Sequence, residues 1–128
     1  MKSFISIALT TIFLSGCATL GSLDKSAEQM THQAIVESEV LHSANVLSDA
    51  QFKAVNVELN KVSVAGLTFT KLLESGQATP ATARAFLALV IDETNIIKAT
   101  YPNASIVNTV LADLMQLQGL LSKIITKL

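Results

Sequence analysis

The sequence is poor in aromatic residues. Its 128 residues include no tryptophan, one tyrosine and five phenylalanines, and two of the phenylalanines, Phe4 and Phe13, fall in the first fourteen positions. Surfaces that stack on sugars and cages that hold quaternary ammonium groups are built from several aromatic side chains. The composition therefore argues against a carbohydrate-stacking surface and against an aromatic cage.

An excess of charge of one sign is also lacking. Nine Lys and Arg residues are balanced by ten Asp and Glu residues, and the net charge is −1 at pH 7. The basic residues form no cluster, so no nucleic-acid partner is predicted. After Cys17 the longest apolar run is AFLALVI, at 85–91, which is much shorter than the ~20 residues of a transmembrane helix.

Sequence motifs of catalysis are missing as well. The chain has no glycine-rich phosphate loop and no G-x-S-x-G nucleophile motif, both of which would place reactive groups at defined positions. Its many serines and threonines lack a histidine on a predicted inward helix face that could activate them. We therefore predict that the protein is not an enzyme and needs no cofactor.

The only cysteine follows a short apolar segment. Lys2 precedes the run FISIALTTIFL, residues 4–14, which is too short for a membrane-spanning helix. A charged start, a short apolar region and small residues before a cleavage point are typical of a secretory signal peptide. The quartet Leu14-Ser15-Gly16-Cys17 resembles the lipobox of bacterial lipoproteins, in which a leucine and two small residues precede the cysteine that is lipidated.

The resemblance implies a lipid anchor at Cys17. Residues 1–16 would be removed as a signal peptide, and Cys17 would carry diacylglycerol and a further acyl chain such as palmitate, which together anchor stably. Residues 17–23 would form a short tether, and 24–128 the folded domain. Ala18 follows the cysteine instead of aspartate, which favours the outer membrane, facing the periplasm, in a Gram-negative host. An ordinary signal peptide and a buried thiol near a frayed terminus are the alternatives.

The remainder of the chain carries strong helix signals. Ser48 and Gln51 match a capping box, Gly76 suits a helix end, and Thr79-Pro80 suits a helix start. Apolar residues at three-four spacing follow in the second and fourth segments, and strand-type alternation is absent. The sequence therefore predicts an all-α fold, an antiparallel up-down-up-down four-helix bundle, with helices near 24–47, 49–75, 80–100 and 104–127.

Four acidic residues suggest a site within such a bundle. Glu37 and Glu93 fall on apolar helix faces and Glu58 and Asp113 flank apolar seams, at similar heights for a rise of ~1.5 Å per residue. Such a set could hold a divalent cation or a small ligand. Alternatively, each acid reaches solvent or a lysine. The nearby Glu39–His42 pair falls on a polar face, where a surface i,i+3 contact is expected rather than a metal site.

Apolar residues away from the seams suggest a surface for a protein partner or for self-association. In the second helix these residues are Val57, Val64 and Leu67; in the fourth they are Ile106, Leu111, Leu120 and Ile125. A wide apolar stripe can instead mean burial between two neighbouring helices. The function predicted from these features is a non-catalytic, lipid-anchored envelope protein that works by protein–protein contact, as an accessory or exclusion-type lipoprotein.

Overall fold

The computed structural model describes residues 19–101 and 104–128. The predicted signal peptide and Cys17 lie outside these described residues. Within them the chain forms four α-helices and a short 3-10 turn, and it contains no strand. The all-α prediction is therefore confirmed. The helices are α1, Leu20–Ser43; α2, Asp49–Glu74; α3, Pro80–Thr100; and α4, Asn108–Lys127, with the 3-10 turn at Ala104–Val107.

The first helix begins earlier than predicted. Thr19 caps α1: its hydroxyl accepts from the Ser22 amide at 3.2 Å, and the Ser22 hydroxyl accepts from the Thr19 amide at 3.0 Å. This is a reciprocal capping box closed by serine rather than by the more usual Glu or Gln. The predicted start at residue 24 is therefore wrong, and residues 20–23 of the predicted tether are helical.

The starts of α2 and α3 agree with the sequence signals. Ser48 and Gln51 form the predicted capping box at α2. At α3, Thr79 accepts from the Thr82 amide and Pro80 occupies the first turn, where a missing N–H is no loss. The fourth helix differs, because its α-helical part begins at Asn108 behind the 3-10 turn, with no side-chain cap.

The connections after α1 and α2 use the same backbone motif. In each, one residue takes a positive φ, 61° at Asn45 and 71° at Gly76. The amide of that residue and the next amide both bond back to carbonyls of the last helical turn, for instance Asn45 to His42 and Gly76 to Leu73. This is the Schellman arrangement, which favours glycine or asparagine at the left-handed position.

Each helix contacts its neighbours in sequence, and α1 also packs against α4. Hydrogen bonds join the ends of neighbouring helices. Thr70 near the end of α2 donates to Asp24 near the start of α1 at 2.8 Å. The Tyr101 hydroxyl, behind α3, donates to the Gln51 carbonyl in the first turn of α2 at 2.6 Å. The largest fully buried side chains, which come from all four helices, include Phe69, Leu23, Leu59, Ile97, Leu114, Leu117, Leu121 and Ile124.

Candidate functional site

The outer α2 face, which we define as Val57, Val64 and Leu67, is exposed. The exposed fractions of these side chains are 48%, 66% and 56%. At about 100° per residue the three positions fall within about 80° of one another, on the side of α2 opposite its buried residues Val55 and Val62. The predicted exposure of this surface is confirmed, and its role as a contact surface remains a prediction.

The predicted contact surface on the fourth helix does not form. Leu111 and Leu120 are only 6% and 9% exposed, and Ile106 and Ile125 are partly buried against the core. The reason is that α4 packs against both α1 and α3, so an apolar stripe wider than one seam is covered from two sides. These four residues belong to the core and its margin.

The four acidic residues are not brought into one site. Within the described residues, no group of three or more His, Cys, Asp or Glu side chains is placed to hold a metal ion. Glu58 instead pairs with Lys61, its Oε2 lying 3.4 Å from the lysine Nζ. Glu37 and Asp113 do become neighbours across the contact between α1 and α4. The predicted cation site of Glu37, Glu58, Glu93 and Asp113 is therefore not formed in the described part of the chain, and a small-ligand site at these residues remains a prediction.

The Glu37–Asp113 pair is short of hydrogen-bond donors. The Gln33 amide donates to Glu37 Oε1 at 3.3 Å, whereas Glu37 Oε2 and Asp113 Oδ2 are buried without a partner. Burial, followed by the hydrogen bond with Glu37 and the negative charge of Glu37, raises the pKa of Asp113 to about 7. Glu93 Oε2 is also buried and without a partner.

His42 lies in the last turn of α1, beside the connection to α2. Its ring stacks on Phe52 with centroids 4.4 Å apart and planes 9° apart, and its Nε2 lies 2.6 Å from Asp49 Oδ1. Glu39 is exposed. Among the described residues the expected i,i+3 contact between Glu39 and His42 is not formed, because the His42 ring contacts Phe52 and Asp49 instead.

A groove between α1 and α2 was not predicted from the sequence. One part has a volume of about 280 Å³ and runs past Gly66 to the edge of Phe86. A second part, about 600 Å³, continues towards Thr19 and Glu74. We call the two parts together the α1–α2 groove; both are lined by Asp24 and Glu28. Leu67 of the outer α2 face lines the smaller part, so the groove and that face are continuous.

One hydroxyl serves both acidic residues of the groove. Thr70 Oγ1 lies 2.8 Å from Asp24 Oδ2 and 2.9 Å from Glu28 Oε1. Burial raises the pKa of Asp24, the hydrogen bond from Thr70 opposes the rise, and the charges of Glu28 and Glu74 add to it. Sequence periodicity gives no signal for this arrangement, because Asp24 and Thr70 lie on different helices.

Comparison with protein-family models, with curated proteins and with solved structures gives no match. None of the helices in the described ranges is long and apolar enough to cross a membrane. The function is therefore argued from the residues of this chain.

Proposed function

We propose that this protein is a lipid-anchored protein of the bacterial envelope that acts by protein–protein contact and catalyses no reaction. In this proposal Cys17 carries the lipid, as the sequence Leu14-Ser15-Gly16-Cys17 suggests. The outer α2 face is the contact surface. An accessory subunit of an envelope complex and an exclusion-type lipoprotein are both roles of this kind.

The exposure of the outer α2 face is the observation that carries the proposal. Moving a Val or Leu side chain from water to a buried site contributes about 1.5–3 kcal/mol, so a partner that covers all three gains substantially. Val64, the most exposed of them, lies centrally on α2. Five exposed polar residues lie among and beside the three, namely Lys53, Asn60, Lys61, Thr68 and Lys71. Protein–protein interfaces as a whole are about as apolar as the rest of the protein surface, so a mixed face of this kind is compatible with one.

We further propose that the four helices form an up-down-up-down antiparallel bundle. The contacts that support it join the start of one helix to the end of the next, as in Thr70 with Asp24 and Tyr101 with Gln51. The helix pairs in contact are also those expected for this topology. Pulsed electron-spin distances between labels at the exposed positions Glu28 and Thr68, compared with labels at Glu28 and Lys53, test it. A Glu28–Thr68 distance longer than the Glu28–Lys53 distance would contradict the proposal.

The anchor is tested by the intact mass of the N-terminal peptide from membrane-fractionated protein. We expect a diacylglyceryl-modified Cys17 as the first residue, and we expect the Cys17→Ala variant to leave the membrane fraction. An unmodified chain, or a chain cleaved at another residue, would contradict the proposed location without affecting the contact surface.

The contact surface is tested with a photo-crosslinking amino acid at Val64 in the full-length protein in its native membrane. We expect an adduct with one defined protein species, identified by mass spectrometry, or with a second copy of this chain. The matched control places the same amino acid at Asp92, an exposed polar position on α3. Substitution Val57→Glu should abolish the adduct while leaving the helical content unchanged. Equal adducts at positions 64 and 92, or none at 64, would contradict the proposal.

A further inference from the structure

In the α1–α2 groove one hydroxyl, that of Thr70, is shared by two carboxylates. A hydroxyl carries a single hydrogen, yet Thr70 Oγ1 is within hydrogen-bond distance of both Asp24 and Glu28. The hydrogen can be divided between the two carboxylates, but this hydroxyl still supplies a single donor to two ionised acids.

Asp24 makes this shortage costly, because it is only 7% exposed. A buried carboxylate is stabilised by donors or by an opposite charge. The charged residues that act on Asp24 are Glu28 and Glu74, both acidic, and the ion pairs found elsewhere join Lys61 to Glu58 and His42 to Asp49. Asp24 also lines both parts of the groove. A nearly buried carboxylate thus faces a cavity, and among the described residues no ion pair joins it to a cation.

Besides the acids, the smaller part of the groove has an apolar wall and the polar residues Thr31, His32 and Ser63. Ala27, Ile35, Leu67 and the edge of Phe86 line it, and Gly66 leaves that edge uncovered because it has no side chain. Its volume of about 280 Å³ lies just below the ~300–1,000 Å³ of pockets that hold whole small-molecule ligands. A cavity of this size suits one side chain with an aliphatic stem and a charged end.

We infer that the α1–α2 groove binds a lysine or arginine side chain of the protein that covers the outer α2 face. The aliphatic stem packs on Leu67 and Phe86, and the cationic end donates to Asp24 and Glu28. This inference rests on the proposed contact function, because Leu67 belongs to both the groove and that face. The charge of the groove selects the partner: its other ionisable lining residues are Glu74, Lys25 and His32, so carboxylates outnumber cations.

A nuclear magnetic resonance titration tests the inference without knowledge of the partner. The full-length, ¹⁵N-labelled protein in detergent micelles is titrated with N-acetyl-lysine methylamide. The matched probe is N-acetyl-norleucine methylamide, which has the same aliphatic stem and no charge. We expect saturable shifts of the Asp24, Glu28 and Gly66 amides with the lysine probe, and at least about tenfold weaker binding of the norleucine probe.

Substitutions then locate the binding site. The pair Asp24→Asn and Glu28→Gln should weaken lysine binding about tenfold or more, and Glu58→Gln, which removes an acid outside the groove, should not. Circular dichroism checks that each variant is folded, and Glu28→Gln alone serves if the pair is not. Equal responses to both probes, or lysine binding that survives in the folded groove variants, would overturn the inference.

The two proposals fail in different ways. If the lysine probe does not bind in the groove but crosslinking at Val64 still gives its adduct, the groove inference is wrong and the proposed contact surface is supported. If the lysine probe binds in the groove but Val64 gives no adduct, the proposed contact function is contradicted. The lysine would then not come from a protein bound to the outer α2 face.

Discussion

Asp113 on α4 and Glu37 on α1 place their carboxyl groups against each other inside the contact between the two helices. One oxygen of each is buried without a partner. Two neighbouring carboxylates repel each other when both are ionised, whereas a single proton held between them makes a hydrogen bond. This helix contact therefore favours a state in which the pair retains a proton.

The stability of the protein should decrease as the pH rises from about 4 to about 7. Folded Asp113 has its pKa raised from 3.8 to about 7, so the folded chain keeps a proton that the unfolded chain releases. Unfolding then releases this proton, and a higher pH favours unfolding, by at most about 1.4 kcal/mol per pH unit for one proton. Above the folded pKa this contribution is lost and the curve levels off.

Urea unfolding at several pH values, followed by circular dichroism, measures this effect. The Asp113→Asn variant, whose amide can donate to Glu37 and does not ionise, should show a flatter curve and exceed the wild type in stability at pH 8. Asp92→Asn, at an exposed position, should keep the wild-type slope. A wild-type slope in Asp113→Asn would contradict the assignment.

Two helical glycines should respond differently to alanine. A Cβ added at Gly66 would lie 3.3 Å from Phe86 Cζ, whereas one added at Gly119 would meet nothing within 4 Å. Alanine gains up to about 1 kcal/mol of helix propensity over glycine. We expect Gly119→Ala to raise the unfolding free energy by about that amount, and Gly66→Ala to gain less. Gly66→Leu should lose about 1–3 kcal/mol. Equal gains for both alanine variants would show that α2 and α3 are not in close contact here.

The two Schellman turns predict opposite effects of substitution. Asn45→Gly should stabilise the protein by a few tenths of a kcal/mol, because glycine adopts a positive φ without a steric penalty. Gly76→Ala should destabilise it by roughly 1–2 kcal/mol, since a Cβ at a φ of 71° is strained. Thermal unfolding of both variants measures the difference. A stabilised Gly76→Ala would mean that this turn does not have the left-handed geometry.

Alanine substitutions should distinguish the buried leucines of α4 from the exposed valine of α2. Because the two leucines are buried and Val64 is largely exposed, Leu111→Ala and Leu120→Ala should each cost about 2–5 kcal/mol. Val64→Ala should change the unfolding free energy by no more than about 0.5 kcal/mol. Denaturant unfolding gives the three values. A small loss of unfolding free energy in Leu120→Ala would indicate that Leu120 is exposed, as the sequence suggested.

Local signals predicted the helices well where the caps are of common type. The starts of α2 and α3 follow from Ser48, Thr79 and Pro80, whose roles depend on neighbouring residues alone. The start of α1 could not be read in the same way, because Ser22 takes the place that Glu or Gln holds in the usual capping box.

The candidate sites depended on which helices are neighbours, and the periodicity of a single helix does not contain this information. The exposure of Val64 followed from its position opposite the α2 seam. Leu120 lies only about 90° from the centre of the α4 seam, against about 170° for Val64 on α2, and a helix beside α4 covers it. In the same way, similar heights along the helices suggested that Glu58 and Asp113 lie together, whereas Glu58 pairs with Lys61 and Asp113 with Glu37.

With the proposed lipid on Cys17, the cap at Thr19 would set the height above the membrane at which the proposed partner binds. Thr19 lines the groove together with Glu74, so the start of α1 and the end of α2 lie at the same end of the molecule. Two residues of chain span at most about 7 Å, and a lipid on Cys17 would hold this end close to the headgroups. Val64 lies ten residues before Glu74, which is about 15 Å of helix. A membrane-embedded partner would then need a segment projecting about that far from the bilayer to reach it.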